Sequence, residues 1–158
     1  MQKKYYLAYG SNLNRYQMRV RCPNAKPLGT AVIEGYRLLF KGSQTGAYLT
    51  IEPAEGHYVP VAVWQVDEED ERALDRYEGY PTFYYKAGLM ITYKGIVSNL
   101  IRTCHAFVYI MHEDRKLGTP STRYFTTCAQ GYRDFGFDTS LLMDAYNYSF
   151  NREAEDED

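Results

Sequence analysis

Tyr5-Tyr6-Leu7-Ala8-Tyr9-Gly10-Ser11-Asn12-Leu13 lies near the start of the chain and sets its reading. The first five residues are apolar or aromatic and rich in tyrosine, which marks a largely buried strand. A glycine, a hydroxyl and an amide then end it, and Arg15 to Arg21, closed by Pro23, reads as a short helix. A strand running into a helix start presents unpaired backbone N–H groups, which can hold a carboxylate or a developing oxyanion. The same residues also suit an ordinary strand-to-helix turn capped by Ser11 or Asn12. The pattern alone leaves both readings open.

Working outward, segments 4–9, 30–41, 47–52, 59–66, 83–94 and 101–111 are runs of Val, Ile, Tyr and Phe bounded by Gly, Pro and Asn, and predict six strands. Gly42-Ser43-Gln44-Thr45-Gly46 reads as a glycine hairpin turn. Asp67 to Tyr77 carries an N-cap Asp, acids in its first turn and Arg76 near its end, which suits a helix aligned with its own dipole. Two more helices are predicted, from Thr122 to Arg133 with Ser121 as cap and Gly136 as stop, and from Ser140 to Asn147. Strands that follow one another with few intervening helices indicate an α+β fold, since parallel sheets need a crossover helix between most strands. Closing them would remove exposed edges. The expected architecture is a small mixed β-barrel flanked by short helices, formed by residues 1–150, with 151–158 as an acidic flexible tail.

Charge narrows the function classes. The 18 Lys and Arg against 20 Asp and Glu give −2, but five of those acids lie in the last six residues, so residues 1–152 carry +3. That surplus is too slight for a nucleic-acid protein, even with the basic-aromatic strips at Lys3 to Tyr6 and Asn14 to Arg21. No apolar run approaches the roughly 18 residues that span a bilayer. Cys22, Cys104 and Cys128 are odd in number and far apart, which argues against disulfides and zinc knuckles and for a cytoplasmic location. Seventeen tyrosines beside a single Trp suggest a polar-edged cavity or interface, and leave a homodimer face open.

The common catalytic signatures GxSxG, GxxxxGK, GxGxxG and HExxH are absent, and His57, His105 and His112 include no i, i+4 pair, so neither metal nor cofactor is expected. Glu78, in Leu74-Asp75-Arg76-Tyr77-Glu78-Gly79-Tyr80-Pro81, stands out instead. It sits at a helix end, where the dipole disfavours a carboxylate, among aromatic residues. Burial there would raise its pKa toward the range useful to a general base. A solvent-facing Glu before a Gly-Tyr-Pro turn is the competing reading.

Three segments together resemble one family. Tyr9-Gly10-Ser11-Asn12-Leu13, then Leu74 to Gly79, then Pro120-Ser121-Thr122-Arg123-Tyr124 with Gly131-Tyr132, occur in the order and at the spacing of the γ-glutamylcyclotransferase-like (AIG2-like) superfamily. The resemblance implies a β-barrel fold and conversion of a γ-glutamyl compound to 5-oxoproline with release of an amine or amino acid. It implies that Glu78 is the general acid/base. Tyr6, Leu7, Ala8, Tyr9, Gly10, Ser11 and Asn12 match the strand end and loop that grip the γ-glutamyl group, and Tyr124 a tyrosine of the same pocket. The expected partner is thus a small γ-glutamyl molecule. A noncatalytic ligand binder retaining the pocket is the alternative, against which the retained Glu78 argues.

Overall fold

The first strand, β1 (Lys4–Ala8), is buried at its last three residues and lies between two neighbours. In the computed structural model, which describes the backbone of residues 3–157 and the side chains of residues 3–151, β1 pairs antiparallel with β3 (Tyr48–Val66) from Lys4↔Val66 to Ala8↔Ala62. On its other edge it meets β5 (Ile101–Met111) in parallel, at Tyr6↔Phe107. With β2 (Lys26–Lys41) and β4 (Tyr84–Gly95) the order β1-β3-β2-β4-β5 closes into a mixed barrel. The closure is uneven: β4 and β5 pair along their whole length, whereas β2 meets β4 only at Gly29↔Gly95 and Thr30↔Lys94.

The barrel has five strands, not six. The segments expected at 47–52 and 59–66 are two arms of β3, both paired with β2. Pro53 and Gly56 do mark a break, since pairing jumps from Tyr36↔Pro53 to Glu34↔Tyr58, but the chain does not reverse there. Residues 54–57 form an irregularity opposite Gly35, and β2 begins earlier than expected so that one long strand serves both arms. The glycine-rich stretch 42–46 is the β2–β3 connection.

Four α-helices decorate the barrel: α1 (Arg15–Arg21), α2 (Glu68–Glu78), α3 (Thr122–Asp134) and α4 (Ser140–Glu157). Local chemistry starts two of them as expected. Asp67 accepts from the Asp70 N–H at 2.8 Å while Asp70 accepts from the Asp67 N–H at 3.1 Å, a reciprocal cap on α2. Ser121 Oγ accepts from the Tyr124 N–H at 3.1 Å and caps α3. The α1 cap differs: Asn14, not Ser11 or Asn12, accepts the Gln17 N–H at 3.0 Å. A 3-10 turn over Ser11–Leu13 separates strand from helix and moves the cap along.

Helix α4 runs to Glu157, well past the expected end at Asn147. Leu142, Ala145 and Ser149 are buried, and Ser149 Oγ accepts the Phe40 N–H of β2 at 3.2 Å. That contact, out of reach of local pattern, carries the helix beyond Asn147. The acidic tail expected from 151 lies, beyond its helical backbone and Asn151, outside the described residues. The three cysteines are free. Among the described residues no helix is long and apolar enough to cross a membrane.

Candidate active site

At one end of the barrel the β1–α1 loop, the end of α2 and the start of α3 enclose a cavity of about 220 Å³. Sites for drug-sized ligands run from about 300 Å³ upward, so this volume suits a small metabolite. Glu78 lines it, as do Tyr6, Leu7, Tyr9, Gly10, Ser11, Asn12 and Tyr124. Ala8, alone among the residues expected here, does not: its short side chain is buried in the strand.

Glu78 is the last residue of α2. Asp70, Leu74 and Glu78 recur every four residues and so share a face; Asp70 and Leu74 are buried, which turns Glu78 inward. The helix then stops abruptly. Gly79 adopts φ +65°, a left-handed conformation that glycine reaches without steric cost, and the Tyr80 N–H returns to the Asp75 carbonyl at 3.0 Å. Desolvation raises the Glu78 pKa to about 8, opposed by the positive charge of Arg21. The residue is half-buried, and both statements hold because the carboxyl is walled by protein yet faces a cavity that admits solvent.

The loop after β1 lines the same cavity. Gly10, Ser11 and Asn12 give their N–H groups to no backbone acceptor among the described residues. Their side chains are engaged elsewhere: Ser11 Oγ lies 2.8 Å from Tyr77 OH, and Asn12 Nδ2 donates to Tyr6 OH at 3.0 Å. A Cβ at position 10 would come 3.3 Å from Tyr124 OH, a tight approach, and 3.5 Å from Leu49, an ordinary contact.

Seven of the 17 tyrosines line this cavity. Tyr48, Tyr77, Tyr84 and Tyr109 complete the wall with Leu49 and Phe83, none of them singled out by sequence. Their hydroxyls fix the frame. Tyr9 OH donates to the Tyr109 carbonyl at 2.7 Å, Tyr84 OH to the Leu49 carbonyl at 2.7 Å and Tyr109 OH to Asp75 Oδ1 at 2.6 Å, while Tyr124 OH accepts the Leu49 N–H at 3.1 Å. Burial holds the phenols of Tyr6, Tyr9, Tyr84 and Tyr124 neutral and pushes the nearby Cys128 thiol up to about 12. Among the described residues no three His, Cys, Asp or Glu side chains gather as a metal site.

Residues 6–126 match the family model described as gamma-glutamyl cyclotransferase, AIG2-like, over more than half of the chain and across every element that builds the cavity. The chain belongs to that family. Relatives agree with the assignment: it is 28% identical over 141 residues to a human gamma-glutamylcyclotransferase, covering 83% of this chain and 71% of the relative. It is also 32% identical over 59 residues to a rat gamma-glutamylaminecyclotransferase, covering 37% of this chain and 40% of that one. A solved gamma-glutamyl cyclotransferase structure superposes with a TM-score of 0.75 at 23% identity, covering 91% of this chain and 86% of its own, a likeness of fold. The barrel expected of the family is the barrel observed.

Proposed function

We propose that the protein is a cyclotransferase that converts a γ-glutamyl amide into 5-oxoproline and a free amine or amino acid, with Glu78 as general acid/base. One observation supports the reading: a carboxyl whose proton affinity is raised to about 8 lines a small aromatic cavity together with Gly10, Ser11 and Asn12, whose N–H groups have no backbone acceptor among the described residues.

The substrate brings its own nucleophile. Its α-amine attacks the γ-carbonyl carbon and closes a five-membered ring, so much of the entropic barrier is removed by the intramolecular geometry. Glu78 takes a proton from the attacking nitrogen, whose ammonium form, beside a free carboxylate, has a pKa about one unit above the ordinary α-amino value near 8. The carbonyl oxygen gains negative charge, which the loop N–H groups would meet. The C–N bond to the departing amine then breaks, and Glu78 returns the proton to that nitrogen. A group with an affinity close to that of the amine can do both. The aromatic wall, Tyr124 included, would hold the folded conformer that cyclisation needs.

Release of 5-oxoproline across a panel of γ-glutamyl amino acids, γ-glutamylamines and larger γ-glutamyl carriers tests the reading. Turnover of at least one member, abolished in Glu78→Gln, is the expected result. Binding without turnover by any member would favour the noncatalytic alternative.

A further inference from the structure

The hydrogen bonds behind the β1–α1 loop have a fixed direction. The guanidinium of Arg21 has only donors, and its Nη1 meets Asn12 Oδ1. This settles which end of the carboxamide is oxygen, so the Asn12 NH₂, also a pure donor, is the group 3.0 Å from Tyr6 OH. The Tyr6 oxygen therefore accepts, and its own hydrogen must point elsewhere. Among the described residues no protein acceptor is placed to receive it.

Tyr6 lines the cavity with Glu78. Its ring is 3% exposed and packed against Phe107 and Tyr109, with centroids 5.5 and 5.7 Å away, so the hydroxyl cannot swing out. Arg21 is equally fixed, with its guanidinium carbon 3.4 Å from the Tyr77 ring centre and Nη2 on Gln17 Oε1 at 3.2 Å. None of the ion pairs among the described residues includes it. Its charge thus polarises the amide, and the amide the phenol, which strengthens the phenol as a donor.

We propose that Arg21, Asn12 and Tyr6 form a one-way hydrogen-bond chain whose terminal O–H donates to the carbonyl oxygen that becomes negative as the γ-glutamyl ring closes. The inference rests on the proposed cyclotransferase activity for the identity of that oxygen, and on the geometry alone for the direction of the proton. Arg21 and Asn12 are positioning residues; Tyr6 touches the ligand. Burial keeps Tyr6 protonated, and ionised Glu78 nearby reinforces this. The amine bound at Glu78 is one forming bond from the carbonyl carbon, so a donor sharing that cavity is within reach of the oxygen.

Tyr6→Phe and Asn12→Asp, singly and together in the full chain, test this by steady-state 5-oxoproline release. Tyr6→Phe should lower kcat by about 10²-fold with little change in KM, as loss of an oxyanion donor does. Asn12→Asp keeps the hydroxyl but offers it an acceptor, turning the proton from the cavity; it should match the loss, and the double variant should be no worse. A kcat within about threefold of wild type for either single variant, or losses that multiply, would overturn the chain. Neutron diffraction of the unmodified protein decides the direction without any turnover. The Tyr6 deuterium should point into the cavity, and one directed at Asn12 or at Glu78 overturns the inference. A wild-type chain releasing no 5-oxoproline would count against the proposed function, while the deuterium position would still decide the polarity.

Discussion

Ser11 Oγ and Tyr77 OH lie 2.8 Å apart, tying the loop after β1 to the last turn of α2, one residue before Glu78. Loop and carboxyl come from segments 66 residues apart in sequence, and this bond fixes their spacing. Ser11→Ala and Tyr77→Phe should each cost about 1 kcal/mol of stability, the net worth of one such bond. Because they remove the same bond, the double variant should cost less than the sum. Urea unfolding of the four proteins checks it; strict additivity would show that the contact contributes nothing.

Glu78→Gln keeps the shape of the side chain and loses the base, so kcat should fall by about 10² or more while binding changes modestly. Stability should move the other way. The folded protein holds the Glu78 proton up to about pH 8, whereas the unfolded chain releases it near the ordinary value of 4.5. Between those values the native state binds the extra proton, so wild-type stability falls as pH rises across that window. Glu78→Gln lacks this loss. The Tm difference, variant minus wild type, should therefore increase from pH 5 to pH 8; a constant difference would place the carboxyl in an unperturbed environment.

The same group sets a pH profile for catalysis. The productive complex holds one proton shared between Glu78 and the substrate amine. Activity is lost below about pH 8 as Glu78 becomes protonated, and at higher pH as the amine, held about one unit above the ordinary α-amino value near 8 by its neighbouring carboxylate, loses its proton. A bell in kcat/KM with its acid limb near pH 8 and its maximum somewhat above is expected. A flat profile from roughly pH 6 to 9 would remove Glu78 from proton transfer.

Gly131 lets α3 seat against the loop that carries the unpaired N–H groups. A Cβ there would meet Asn14 N at 2.6 Å and the Leu13 carbonyl carbon at 2.7 Å, both backbone atoms that cannot step aside. Gly131→Ala should destabilise by about 1–3 kcal/mol, the usual cost of overpacking. It should also raise KM by displacing the loop. Unfolding curves and steady-state kinetics on the same variant check both effects, and an unchanged KM would uncouple α3 from the site.

Much of this architecture is written locally. The Tyr5 to Tyr9 run, the Asp67 and Ser121 caps and the Gly79 stop act on backbone groups within a few residues, so the sequence determined β1, α2, α3 and the place of Glu78 at a helix end. Its motifs also marked Glu78, the Tyr9 to Leu13 loop and Tyr124, which the fold brings around one cavity. Its inward orientation was not legible: a solvent-facing Glu fitted the sequence equally well, and the burial of Asp70 and Leu74 on the same helix face decided it.

Tertiary structure decided the rest. Pro53 and Gly56 look like a turn, yet pairing with β2 keeps both arms of β3 in one strand. Asn14 takes the cap because Ser11 and Asn12 are drawn to Tyr77 and Tyr6. Which tyrosines wall the cavity depends on partners such as Tyr109, 100 residues from the Tyr9 that donates to it. Arg21 touches the site through Asn12 and Tyr77, and its charge acts on Glu78 across space. Caps and periodicity report interactions a turn or less along the chain, whereas strand register and side-chain partners are chosen by which distant surfaces bury each other best.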